Sequence, residues 1–132
     1  MQRGVDMLSQ RMLDLKFSTV PEPVFFPVGK RISAGVKFLN DLEPDWRSRI
    51  NEAGLDIGCS ISCILGQLFG DYMNGCAELR LDPRKEAAEM GFNVLDSESS
   101  TTDREFVALT RGWRVALQNP STRNLERLTI AA

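Results

Sequence analysis

The sequence predicts a mainly α, compact single domain of about five short helices, with an extended proline-rich arm near its N-terminus. Three observations carry that expectation. Apolar residues recur three or four apart in several separate stretches, glycine and proline pairs punctuate the gaps, and the prolines crowd into Pro21–Pro27. The chain divides into residues 1–32 (an N-terminal helix and the arm), 33–118 (a helical core) and 119–132 (a C-terminal tail).

In the first stretch, Val5, Leu8, Met12 and Leu15 fall on one face of a helix. The run Pro21-Glu22-Pro23-Val24-Phe25-Phe26-Pro27 then forbids a helix and favours an extended conformation. Two adjacent phenylalanines in such a run want a surface, so the arm packs on its own body or reaches to a partner.

The core stretch reads as successive short helices. Ser33 is placed to cap a helix carrying Val36, Phe38, Leu39 and Leu42. Pro44 suits the first position of the next, where Trp46 and Ile50 share a face. Asn51–Gly58 reads as a loop. From Ser60 to Met73 the set Ile61, Ile64, Leu65, Leu68, Phe69 and Tyr72 predicts one core helix, ended by Asn74-Gly75. Asp82-Pro83 opens a further helix through Glu86–Met90, which Gly91-Phe92 closes as a glycine cap with a following hydrophobic contact. Thr102-Asp103-Arg104-Glu105 has the form of a capping box. Phe106, Leu109, Trp113, Ala116 and Leu117 carry that helix to Gln118, and Asn119-Pro120 stops it. Leu125, Leu128 and Ile130 suit either a final turn or a frayed tail.

Composition narrows the function. The 132 residues are 42% hydrophobic and 26% charged, a globular balance, with no histidine. Ser-His-Asp and Cys-His catalysis, imidazole zinc sites and histidine pH switches are therefore excluded. No apolar stretch suits a membrane helix, and Met1–Gln10 has no apolar signal-peptide region. The net charge of −2 is uneven: residues 1–32 carry +2, residues 33–103 carry −7 and residues 104–132 carry +3. The acidic middle disfavours phosphate, so nucleic acid is a poor partner for the whole domain, although its basic ends suit an acidic partner or a second copy.

Cys59, Cys63 and Cys76, odd in number, fit free thiols in a reducing cytoplasm. Metal binding is not expected, because the spacing is loose for zinc and a carboxylate would have to be the fourth ligand. Asp56–Cys76 contains no Lys or Arg to stabilise a thiolate, which argues against a catalytic cysteine. Gly66 and Gly70, with Ser62 one turn earlier, form a small-residue strip suited to close approach by a neighbouring helix more than to a homodimer seam. No phosphate-binding glycine motif is present, and the carboxylates at Asp41/Glu43/Asp45 and Asp82/Glu86/Glu89 sit at helix starts, where capping explains them. Neither cofactor nor catalytic set is expected.

Arg111, Arg114, Arg123 and Arg127 make the one basic cluster, beside Trp113, which shares the core-facing stripe of its helix. Trp46, flanked by Asp45, Arg47 and Arg49, is the tryptophan expected to be partly exposed. The expected interaction residues are therefore Phe25, Phe26, Trp46, Arg111 and Arg114.

The block Cys63-Ile64-Leu65-Gly66-Gln67-Leu68-Phe69-Gly70-Asp71-Tyr72, with Pro44–Ile50 before it and Gly91-Phe92 and Leu109-Thr110-x-x-Trp113 after it, resembles a group of small actinobacterial and actinobacteriophage proteins. The resemblance runs from Gly35 to Gln118 and omits the arm and the tail. It implies a phage or mobile-element accessory protein in the bacterial cytoplasm and carries no reaction with it. The expected function is non-catalytic: contact with a host or phage protein, or homo-oligomerisation. The alternative is a nucleic-acid-associated regulator using the basic C-terminal helix and tail.

Overall fold

Helix α1, Gly29–Leu42, buries Gly29, Ile32, Ser33, Gly35, Val36 and Leu39, the stripe that a three-and-four repeat lays along one face. This computed structural model describes residues 24–95, 97, 100–119 and 125–132. The expected helix at Val5–Leu15, and Pro21–Pro23 of the arm, lie outside them. α1 starts a turn earlier than the sequence suggests, and Ser33 sits inside it rather than capping it. Tertiary contact replaces the cap: the Gly29 N–H donates to Leu128 O at 3.0 Å. A Cβ at Gly29 would stand 1.9 Å from Leu125 O, so only glycine lets the C-terminal turn come this close.

Trp46–Arg49 and Glu52–Gly54 are short 3₁₀ turns. The single core helix expected over Ser60–Met73 is instead two helices, α2 (Ile64–Phe69) and α3 (Tyr72–Leu79). Gly70 breaks them apart with φ of 100°, and Asp71 caps α3 by accepting the Asn74 N–H at 2.7 Å. Asn74-Gly75 therefore lies within α3 and does not end it. The small-residue strip divides too. A Cβ at Gly66 would meet Ser60 O of its own loop at 2.2 Å, and one at Gly75 would meet Leu65 of α2 at 2.8 Å, whereas Gly70 faces open space. Gly66 and Gly75 serve close approach within the chain, and Gly70 serves the turn.

α4, Glu86–Glu89, ends as its sequence suggests. Gly91, at φ 76°, donates to Ala88 O and Phe92 donates to Ala87 O, the paired bonds of a Schellman cap. α5, Thr102–Gln118, spans the core with Ala108, Leu109, Trp113 and Ala116 inward. Glu105 does not lie out at the helix start as a capping-box glutamate would. It is buried, and its Oε2 accepts from Arg31 at 3.0 Å and from the Leu95 N–H at 2.8 Å. The C-terminus is a docked turn rather than a frayed tail: Leu125–Arg127 is a 3₁₀ turn with Leu125 buried. It leads into β2 (Ile130–Ala131), which pairs antiparallel with β1 (Phe25–Phe26) in the register Phe25 to Ala131 and Phe26 to Ile130. This part of the arm packs on its own body.

Three aromatic rings tie the layers together. Trp113 stacks on Phe92 at 5.5 Å between centroids and meets Trp46 edge-on at 6.0 Å. Both indole N–H groups are satisfied inside, Trp113 by Gly91 O at 2.7 Å and Trp46 by Asn40 Oδ1 at 2.8 Å. Trp46 is fully buried, which corrects the expectation of a partly exposed contact residue. Its charged neighbours stay on the outside of the tight turn while the indole enters the core, with the Arg47 guanidinium over the ring at 4.8 Å.

Candidate interaction surface

α5 turns its buried stripe to the core and leaves Asp103, Val107 and Arg111, one turn apart, on its outer side. The 52–58 segment lies alongside. Arg114 donates to Leu55 O at 3.0 Å and to Glu52 O at 3.3 Å, and Gln118 donates to the Glu52 carboxylate at 2.6 Å. The Ile57 N–H donates to the buried Thr110 hydroxyl at 2.9 Å. These bonds hold loop and helix apart at a fixed width. Between them runs an open groove of about 560 Å³, with Phe106 and Val107 on its apolar side, Asp56 and Asp103 on opposite walls, and Arg111 and Arg114 towards the far end of α5. Beyond Gly58 and Phe106 a smaller cavity of about 150 Å³ is lined by Cys63, Tyr72, Phe92 and Asn93.

Two of the expected contact residues flank the same strand, β2, from opposite sides. Phe25 is 64% exposed and stands opposite Ala131, whose carbonyl accepts from Arg111 at 2.9 Å. Val24 and Ala132 exchange the hydrogen bonds of the ladder, so the Ala131 carbonyl points away from β1, and β2 stands between Phe25 and Arg111. Phe26 is half-buried against the core, and Arg114 is half-buried with its guanidinium committed to loop carbonyls. Trp46 stays in the interior. Val107, 43% exposed, is the contact candidate that the sequence reading missed. Its signal is an apolar residue off the buried stripe, with Asp103 and Arg111 one turn to either side.

No family model, curated protein or solved structure matches the chain.

All three cysteines are free, with Cys63 and Cys76 buried and Cys59 half-buried. Burial pushes the Cys63 and Cys76 thiols up. The Cys59 thiol is lowered, first by the Ser62 hydroxyl and then by the backbone N–H groups of Ile61 and Ser62. Cys63 Sγ accepts the Gly66 N–H at 3.2 Å, so it caps α2. Tyr72, its hydroxyl bonded to Pro83 O, is also raised by burial. No group of three or more Cys, Asp or Glu is placed to hold a metal ion among the described residues. No described helix is long and apolar enough to cross a membrane.

Proposed function

We propose that this chain is a non-catalytic protein-contact module whose binding face is the α5 groove together with Phe25. One observation carries the reading: the α5 groove has exposed Val107 on its apolar side and fixed charges around it, and Arg111 ties it to β2, the strand whose partner β1 carries exposed Phe25. An apolar centre with a charged rim is the usual anatomy of a protein contact. The partner fits a host or phage protein in a bacterial cytoplasm, as the sequence resemblance implies. Asp56 and Asp103 on the groove walls would repel phosphate, and Arg111 and Arg114 already donate to backbone carbonyls, so the nucleic-acid alternative draws less support.

The test is capture of partners by tagged protein from actinobacterial lysate, with and without nuclease, beside Phe25→Ala/Val107→Asp. Both side chains are exposed, so the double variant should keep its fold. A nuclease-resistant partner that binds wild type and loses about tenfold or more in affinity for the variant supports the reading. Equal binding by wild type and variant, or a partner released by nuclease alone, overturns it.

A further inference from the structure

We propose that the outer side of α5 pairs with the same side of a second copy of this chain, the two helices antiparallel about a two-fold axis at Val107. The inference rests on the α5 face being a protein-contact face and names the protein that occupies it when no other partner is present.

The row Asp103, Val107 and Arg111 is the first support. All three side chains are exposed and lie four residues apart, so they form one ridge along the helix. The ridge has an acid at one end, an apolar residue at its centre and a base at the other end. Asp103 and Arg111 are about 12 Å apart along the axis, too far to pair with each other. Among the described residues neither has an ion-pair partner. Arg111 donates through Nη1 to the neutral Ala131 carbonyl, which leaves its charge uncompensated. The groove's other charges are engaged: Arg114 donates to the Glu52 and Leu55 carbonyls, and Asp56 accepts the Gly58 N–H at 2.9 Å.

Symmetry is the second support. A two-fold axis sets residue i of one copy against residue j of the other, and j against i. With Val107 on the axis and the helices antiparallel, Asp103 of each copy faces Arg111 of the other, and the two Val107 side chains meet between these pairs. Phe106, half-buried on the groove side of Val107, adds apolar surface beside the axis. Ridges of four-residue spacing pack at about −50°, the commonest helix crossing, which lays the two rows along one another. A parallel pairing would set Asp103 against Asp103 and Arg111 against Arg111, so the charges select the antiparallel one. Arg104, which is engaged already, falls to one side of the row.

The experiment is sedimentation equilibrium of the purified full chain, with Asp103→Lys and Arg111→Glu measured singly and as an equimolar mixture. Wild type should pass from monomer to dimer as concentration rises. Each variant alone should self-associate about tenfold or more weakly, because like charges then face each other in both contacts. The mixture should regain the dimer, since a wholly basic row then meets a wholly acidic one. Val107→Cys, in a Cys59→Ser background, remains decisive if Arg111→Glu disturbs β2. It should cross-link to itself under copper-phenanthroline oxidation, because position 107 alone in the row faces its own copy. Met73→Cys, exposed on α3, should not. A chain that stays monomeric at every concentration overturns the inference, as does a dimer equally strong in all variants. Absence of the Val107→Cys cross-link also overturns it. No lysate partner enters these readouts, so their failure and the failure of partner capture are separate results.

Discussion

Arg31 and Glu105 form a buried ion pair, 3.0 Å apart, that joins α1 to α5 across 74 residues of sequence. Their side chains are only 14% and 8% exposed. The same guanidinium donates to Ala88 O at 2.9 Å and Asn93 O at 2.6 Å, and Glu105 also receives the Leu95 N–H. One arginine thus fastens α1, the end of α4, the following loop and α5. Each of the three guanidinium nitrogens makes a hydrogen bond, and such partnering favours a buried pair that holds a specific arrangement.

Arg31→Met should therefore cost about 3–5 kcal/mol, because it strands a buried carboxylate and two carbonyls. Arg31→Met/Glu105→Leu should cost less than Arg31→Met alone, since no charge then remains unpaired. Urea unfolding at neutral pH measures both. A single variant within about 1 kcal/mol of wild type would show the pair to be incidental.

Alkaline pH should destabilise the fold through its buried thiols. Cys63 and Cys76 are raised in the folded state, so it keeps their protons after the unfolded chain has released them. Their contribution is complete below the ordinary thiol pKa of about 8.5 and is lost as pH rises from there towards the folded value. Cys63→Ala/Cys76→Ala should flatten the fall in urea midpoint across this range. The shift at Cys59 has the opposite sign, so Cys59 should react with iodoacetamide first, and at lower pH than a free cysteine. Rates mapped by peptide mass would contradict this if Cys63 led.

Helix faces are legible because burial leaves a period: the stripe of α5, Val36 and Leu39 of α1 and the Gly91-Phe92 cap lie where the spacing puts them, whereas Leu42, at the end of α1, is exposed. What failed depended on partners distant in sequence. Ser33 looks like a cap until Leu128 supplies one, and Glu105 looks like a capping-box residue until Arg31 claims it. Gly66 and Gly70 look alike in sequence, yet one meets a loop carbonyl and the other turns the chain. Trp46 is buried although charges flank it in sequence, because a tight turn separates one residue from the next in space. Of the proposed contact face, Phe25 and Arg111 are visible as residue types, but their link through β2 requires the strand pair.

Arg80 closes α3 in the left-handed conformation, at φ 56°, with Leu81 donating to Cys76 O and Arg80 to Ala77 O. This is the hydrogen-bond pattern that Gly91 makes at the end of α4, with a side chain where glycine is preferred. Arg80→Gly should stabilise by up to about 1 kcal/mol in urea unfolding. Gly91→Ala should destabilise, because it adds both the backbone strain at φ 76° and a Cβ within 3.2 Å of the Ile32 backbone. Changes of the same sign at both sites would refute the shared cap.

The two phenylalanines of the arm should separate in their effects. Phe26 packs against the core and faces Ile130, so Phe26→Ala should cost about 2 kcal/mol and loosen the β1–β2 pair. Phe25 is 64% exposed, so Phe25→Ala should change stability by less than about 0.5 kcal/mol. Limited proteolysis reports the pair directly: cleavage near Thr129–Ala132 should quicken in the Phe26 variant and not in the Phe25 variant. A Phe25→Ala loss as large as that of Phe26→Ala would make Phe25 a packing residue and remove it from the contact face. Retained stability with lost partner binding would place Phe25 on that face, because an exposed aromatic then serves recognition without serving the fold.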